Sequence, residues 1–92
     1  MSERKATVAS SSGLHARPAS LFAAAAGELD VEVTIALDGT PAEDAMDASS
    51  MLSLMTLGAE HGAVVVLRAE GEGADAALDQ LAAMIETDLD AV

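Results

Sequence analysis

From Val31 to Asp38 the chain alternates Val31, Val33, Ile35 and Leu37 with Glu32, Thr34, Ala36 and Asp38. That is the period of a half-buried strand. Ala63 to Ala69 predicts a second strand, with Val65, Leu67 and Ala69 sharing a face, and Lys5 to Ala9 predicts a short one in which Ala6 and Val8 do the same. Asp38-Gly39 is a hairpin signal. It should return the chain into a weak edge strand near Thr40, one that Pro41 shortens. Three segments carry the helical period instead. In Ala16 to Glu28, Leu21, Phe22, Ala25 and Leu29 recur on one side. Ser50 to Leu57 has Ser49 or Ser50 as N-cap and Gly58 as its stop. In Ala74 to Leu89, Leu78, Leu81, Ile85 and Leu89 form a stripe. The order β-α-β-β-α-β-α predicts an α+β fold, a four-stranded and mostly antiparallel sheet with three helices packed on one face.

Length and composition narrow the picture further. Ninety-two residues make one domain, 1–92, with a single core. Phe22 is the only aromatic residue, so that core is expected to be built from Val, Ile, Leu and Met around small alanines. Cysteine is absent, which excludes a disulfide framework and a cysteine metal site. Two widely separated histidines, His15 and His61, make no metal site either, so neither metal nor cofactor is expected. His61, in Ala59-Glu60-His61-Gly62, reads as an exposed loop residue. Sixteen acidic residues against Arg4, Lys5, Arg17 and Arg68 give a net charge of −12. Nucleic acid and anionic membranes are therefore poor partners, since phosphate contacts need a basic patch. No apolar run is long enough for a signal peptide or a membrane span, and a cytoplasmic monomer is expected.

The densest chemistry lies in Gly13-Leu14-His15-Ala16-Arg17-Pro18-Ala19-Ser20. Pro18 suits a first helical turn, where its missing N–H would have no partner anyway. His15 then sits at or beside the N-cap of the alanine-rich helix. Unpaired backbone N–H groups and the helix dipole favour an anion there. The same positive end disfavours an imidazolium, leaving His15 neutral and nucleophilic. Arg17 can neutralise an arriving anion, and Gly13 lets the loop approach closely. A neutral histidine beside an anion cradle can take and give a phosphoryl group. For a lone histidine, helix capping would be the better reading; Gly, His, Arg and Pro in this order favour function.

This segment resembles the active-site segment of HPr, the family of histidine-containing phosphocarriers of the phosphoenolpyruvate-dependent sugar phosphotransferase system. The resemblance spans nearly the whole chain and implies an open-faced β-sandwich. It also implies a phosphoryl relay rather than a stand-alone enzyme. His15 would accept a phosphoryl group on Nδ1 from Enzyme I and pass it to IIA proteins for sugar uptake. Arg17 would be its electrostatic partner, with Ser12, the Ala16 and Arg17 backbone N–H groups and Pro18 in support. Carriers for nitrogen-regulatory or dihydroxyacetone phosphotransferase chains share this style of site.

A second stretch, Asp47-Ala48-Ser49-Ser50-Met51-Leu52-Ser53-Leu54-Met55-Thr56-Leu57-Gly58, is similar to the family's second landmark. There Ser50 falls where some members carry a regulatory phosphorylation, which would make a regulatory binding protein the alternative function. We read Ser50 as an N-cap, worth about 1 kcal/mol, because Ser49 stands where many regulated members have lysine. Extra residues around Pro41-Ala42-Glu43-Asp44 also depart from the family's spacing. The family uses part of this helix as a docking patch, which implies that role for Met51 and Met55, and for Leu21 on the first helix. Methionines suit a surface that must fit several partners. An acyl carrier protein is also small and acidic, but the strands at Val31 to Leu37 and Ala63 to Ala69 contradict its helical fold.

Overall fold

The first strand, Ser2–Thr7 (β1), is followed by a helix at Ala16–Gly27 (α1), and a second strand occupies Val33–Leu37 (β2). A two-residue strand, Met46–Asp47 (β3), leads to the helix Met51–Leu57 (α2), then to the strand Val64–Ala69 (β4) and the helix Ala74–Ile85 (α3). This computed structural model describes residues 2–11, 13–14 and 16–88. The strands form one antiparallel sheet in the order β1-β4-β2-β3. The expected architecture is the observed one.

The pleat sorts side chains by register. Ala6, Val65 and Leu37 form one row on the helix-covered face, and Arg4, Leu67 and Ile35 the next. Phe22, Leu54, Leu78, Leu81 and Ile85 close over them, each almost fully buried. On the uncovered face one row is Lys5, Val66 and Ala36. Val66 and Ala36 are buried there although no layer covers them. The Lys5 ammonium lies 3.3 Å from Asp38 beyond Ala36, so its aliphatic stem crosses the row and shields it while the charge stays in water.

Several boundaries differ from the sequence-based expectation, each for a local reason. β1 begins earlier because its inward Arg4 is used at the sheet edge, where it bonds Asp79 at 2.9 Å and lies 3.6 Å from Asp75 on α3. No strand forms near Thr40. Pro41 to Ala45 instead make a tight 3-10 turn, with Asp44 N–H donating to the Pro41 carbonyl and Ala45 N–H to that of Ala42. Pairing resumes only where Met46 faces Ile35. In α1 the buried stripe is Ala19, Phe22, Ala23 and Ala26, while Leu21 faces outward. Alanines let this helix pack close, and Phe22 fills the remaining space. α3 ends at Ile85, whose carbonyl accepts from Ala9 N–H at 3.0 Å; Leu89 lies outside the described residues.

Candidate functional site

The segment leading to position 15 is held by a seam between two loops. Val8 N–H donates to the Ala63 carbonyl and Gly62 N–H to that of Val8, both at 2.8 Å, which continues β1 past its last ladder pair. Gly13 N–H then donates back to the Ser10 carbonyl at 2.9 Å. Leu14 N–H donates to the Ala59 carbonyl at 2.9 Å, and the Leu14 side chain is buried. Gly13 has φ +73°, and a Cβ there would lie 2.5 Å from the Ala59 oxygen and 2.8 Å from Glu60 Cα. Only glycine allows this approach. Ala59, Glu60 and the turn to Ala63 thus form the floor beneath the loop.

From this floor the chain enters α1 at Ala16. Pro18 falls in the first turn and is fully buried. No acidic residue stands in that turn, so no carboxylate of the helix offsets the positive end of its dipole. Arg17 is exposed. The other three cations are committed: Arg4 to Asp79 and Asp75, Lys5 to Asp38, and Arg68 to Glu3 at 2.9 Å. Among the described residues, Arg17 makes no ion pair. His15 and Ser12 themselves lie outside the described residues, and for Ala16 only the backbone is described.

Ser50 is the N-cap of α2, its hydroxyl accepting from Ser53 N–H at 3.3 Å. Just before it, Asp47 accepts from the Ser49 hydroxyl at 2.7 Å and from Ser49 N–H at 2.9 Å. These bonds, the hydroxyl's first, hold the Asp47 carboxyl below the usual carboxylate range. α1 and α2 pack against each other, and their outer surfaces carry Leu21, Met51 and Met55, each about two-fifths exposed. Leu54, grouped with the methionines in sequence, is buried in the core. Sequence reasoning missed Leu52, which is 72 % exposed. Once Leu54 is fixed inward, the turn of 100° per residue sends Leu52 outward, so the signal was present. The floor at Ala59 and Glu60 had no local signal at all.

Three open cavities, the largest of them 420 Å³, share residues 29–32 in part and lie beyond the C-terminal end of α1. That is roughly 16 Å along the helix axis from Ala16. None of the three is lined by the loop that leads to position 15.

A helix start without an acidic residue in its first turn, next to an exposed arginine that makes no ion pair among the described residues, suits a small anionic group. The sequence comparisons agree. A family profile described as "PTS HPr component phosphorylation site" matches residues 2–87. The phosphocarrier protein HPr of Streptomyces coelicolor is 46% identical over 91 residues, covering 98% of this chain and 94% of that protein. That of Haloferax volcanii is 44% identical over 85 residues, covering 92% and 93%. Among solved structures, an HPr from Thermoanaerobacter tengcongensis superposes with a TM-score of 0.83 at 31% identity, covering 98% of this chain and 97% of that one. The chain belongs to the HPr family, the phosphocarriers of the phosphotransferase system.

Proposed function

We propose that His15 is the phosphoryl acceptor of this carrier, loaded by Enzyme I and discharged to IIA proteins of a sugar-uptake chain in the cytoplasm. Loading is an in-line exchange. The N–P bond to the Enzyme I histidine breaks as the bond to His15 forms, and the released electron pair returns to the donor nitrogen. Discharge is the same step with His15 as leaving group. The protein's contribution is position and charge. The start of α1 supplies backbone N–H groups, and Arg17 supplies the cation for the equatorial oxygens. Ser12, Ala16 and Pro18 are the supporting positions. Leu21, Met51, Met55 and Leu52 form the apolar docking surface beside it, used by one monomer at a time.

One observation carries this reading: in a chain with four cations, the one uncommitted among the described residues stands two positions from His15. The test is intact-protein mass after incubation with phosphoenolpyruvate, Mg²⁺ and Enzyme I. Wild type should gain one acid-labile phosphoryl group and His15→Ala none. Arg17→Ala should load about 10²-fold more slowly, the scale of losing one transition-state charge contact. Loading of His15→Ala, or an unchanged rate in Arg17→Ala, overturns the assignment of that residue.

A further inference from the structure

We infer that His61 is a positioning residue for phosphoryl transfer, latching the loop that leads into His15; the inference rests on His15 being the acceptor. The His61 ring nitrogen Nδ1 lies 3.3 Å from the Ser10 carbonyl oxygen. A carbonyl only accepts, so the hydrogen is on Nδ1. Protonating the ring leaves that hydrogen in place, because both nitrogens of an imidazolium are donors. The Ser10 carbonyl also accepts Gly13 N–H. It is therefore the point where the turn of the active loop and the floor loop are tied together.

The location gives the bond its consequence. Backbone bonds fasten the seam at Val8 on one side and at Leu14 on the other. Ala9 N–H is held as well, on the Ile85 carbonyl, and His61 adds a side-chain tie at the turn, close to Gly13, where an added Cβ would lie 2.5 Å from the Ala59 oxygen and 2.8 Å from Glu60 Cα. His61 reaches from the floor to the near end of that turn. Ser10 is buried, so the tie is made at the root of the loop. Releasing it widens the range of positions from which His15 must attack, while the docking surface on α1 and α2 is untouched. The expected defect is accordingly in the transfer step and not in association.

Stereochemistry supplies the discriminating variants. An asparagine amide nitrogen sits where Nδ1 sits, one bond beyond Cγ, whereas glutamine places its amide nearer the Nε2 position. With phosphorylated Enzyme I as donor, His61→Ala should lower kcat about three- to tenfold, the rate equivalent of one hydrogen bond's net contribution, with KM for Enzyme I unchanged. His61→Asn should restore most of that loss and His61→Gln should not. Amide hydrogen exchange at Gly13 and Leu14 in the unphosphorylated protein should quicken in His61→Ala and recover in His61→Asn. Wild-type kcat in His61→Ala, or equal defects in the alanine and asparagine variants, would overturn the inference. If wild type takes up no phosphoryl group, the His15 reading fails instead. The exchange measurement still decides the latch, which unchanged protection in His61→Ala refutes.

Discussion

Gly13→Ala offers a strong test of the packed loop, because its cost can be separated into two parts. The first is conformational. A residue with a Cβ at φ +73° costs about 1–2 kcal/mol. The second is steric. The new methyl would meet the Ala59 oxygen at 2.5 Å and Glu60 Cα at 2.8 Å, both backbone atoms that cannot rotate away. Overpacking of that kind adds about 1–3 kcal/mol. Gly58 is the matching control, with φ +74° and nothing within 4 Å of its Cβ position. Alanine reduces unfolded-chain entropy equally in both variants, so that gain cancels in the comparison. At roughly 5 °C per kcal/mol for a domain this size, Gly58→Ala should lower Tm by roughly 5–10 °C and Gly13→Ala by roughly 10–25 °C. If the loop escapes by lifting, the bond from Leu14 N–H to Ala59 is lost, which appears as faster amide exchange at Leu14 and slower loading by Enzyme I. The assay is paired thermal unfolding with transfer kinetics on both variants. Equal Tm losses together with wild-type transfer in Gly13→Ala would refute the close approach.

Leu52→Ser should leave Tm unchanged within error while weakening Enzyme I binding about tenfold, as expected from losing a leucine that docking buries; calorimetric titration showing wild-type affinity would remove Leu52 from the docking surface. Leu54→Ala, two positions along the same helix but in the core, should instead cost about 2–5 kcal/mol of stability by denaturant unfolding, and a loss under 1 kcal/mol would contradict its placement. Because Ser49 depresses the folded-state pKa of Asp47, this pair's stabilisation is present above the ordinary carboxylate pKa and fades as pH falls through the folded value. Ser49→Ala should raise the Asp47 midpoint in a carboxyl NMR titration, and an unmoved midpoint would show that the hydroxyl bond is not formed. A net charge of −12 should make KCl stabilising, with Tm rising between about 0.05 and 1 M as self-repulsion is screened; a falling Tm would mean that the ion pairs of Arg4, Lys5 and Arg68 outweigh that repulsion.

Much of this architecture was legible where neighbouring residues decide the outcome. Alternation marked β2 and β4, and Ser50 and Gly58 bracketed α2. Gly13 to Ser20 displayed the residue types of the candidate site before any fold was known. The remainder depended on distant residues. Leu21 suits a core stripe by character, yet Ala19 and Ala23 take the inward positions and let α1 pack closely. Arg4 does not look like an inward strand residue until α3 supplies Asp75 and Asp79, more than 70 positions later. β3 is displaced because Pro41 diverts the chain into a 3-10 turn before pairing resumes. His61 reads as an ordinary loop residue, since nothing near it in sequence announces Ser10, some 51 positions away.

The strand order has a consequence for how this protein comes into being. β4 is the last strand in the chain, yet it lies between β1 and β2. Neither earlier strand has a lateral partner at the sheet centre until Val64–Ala69 has been synthesised, and the floor at Ala59 arrives only shortly before. Early helices can flicker on a growing chain, but long-range pairing must wait for its late partner. The active loop, near the N-terminus, is thus among the first segments to emerge from the ribosome and among the last to acquire its shape. A half-made chain carries His15 without the Ala59–Glu60 floor on which the loop before it rests.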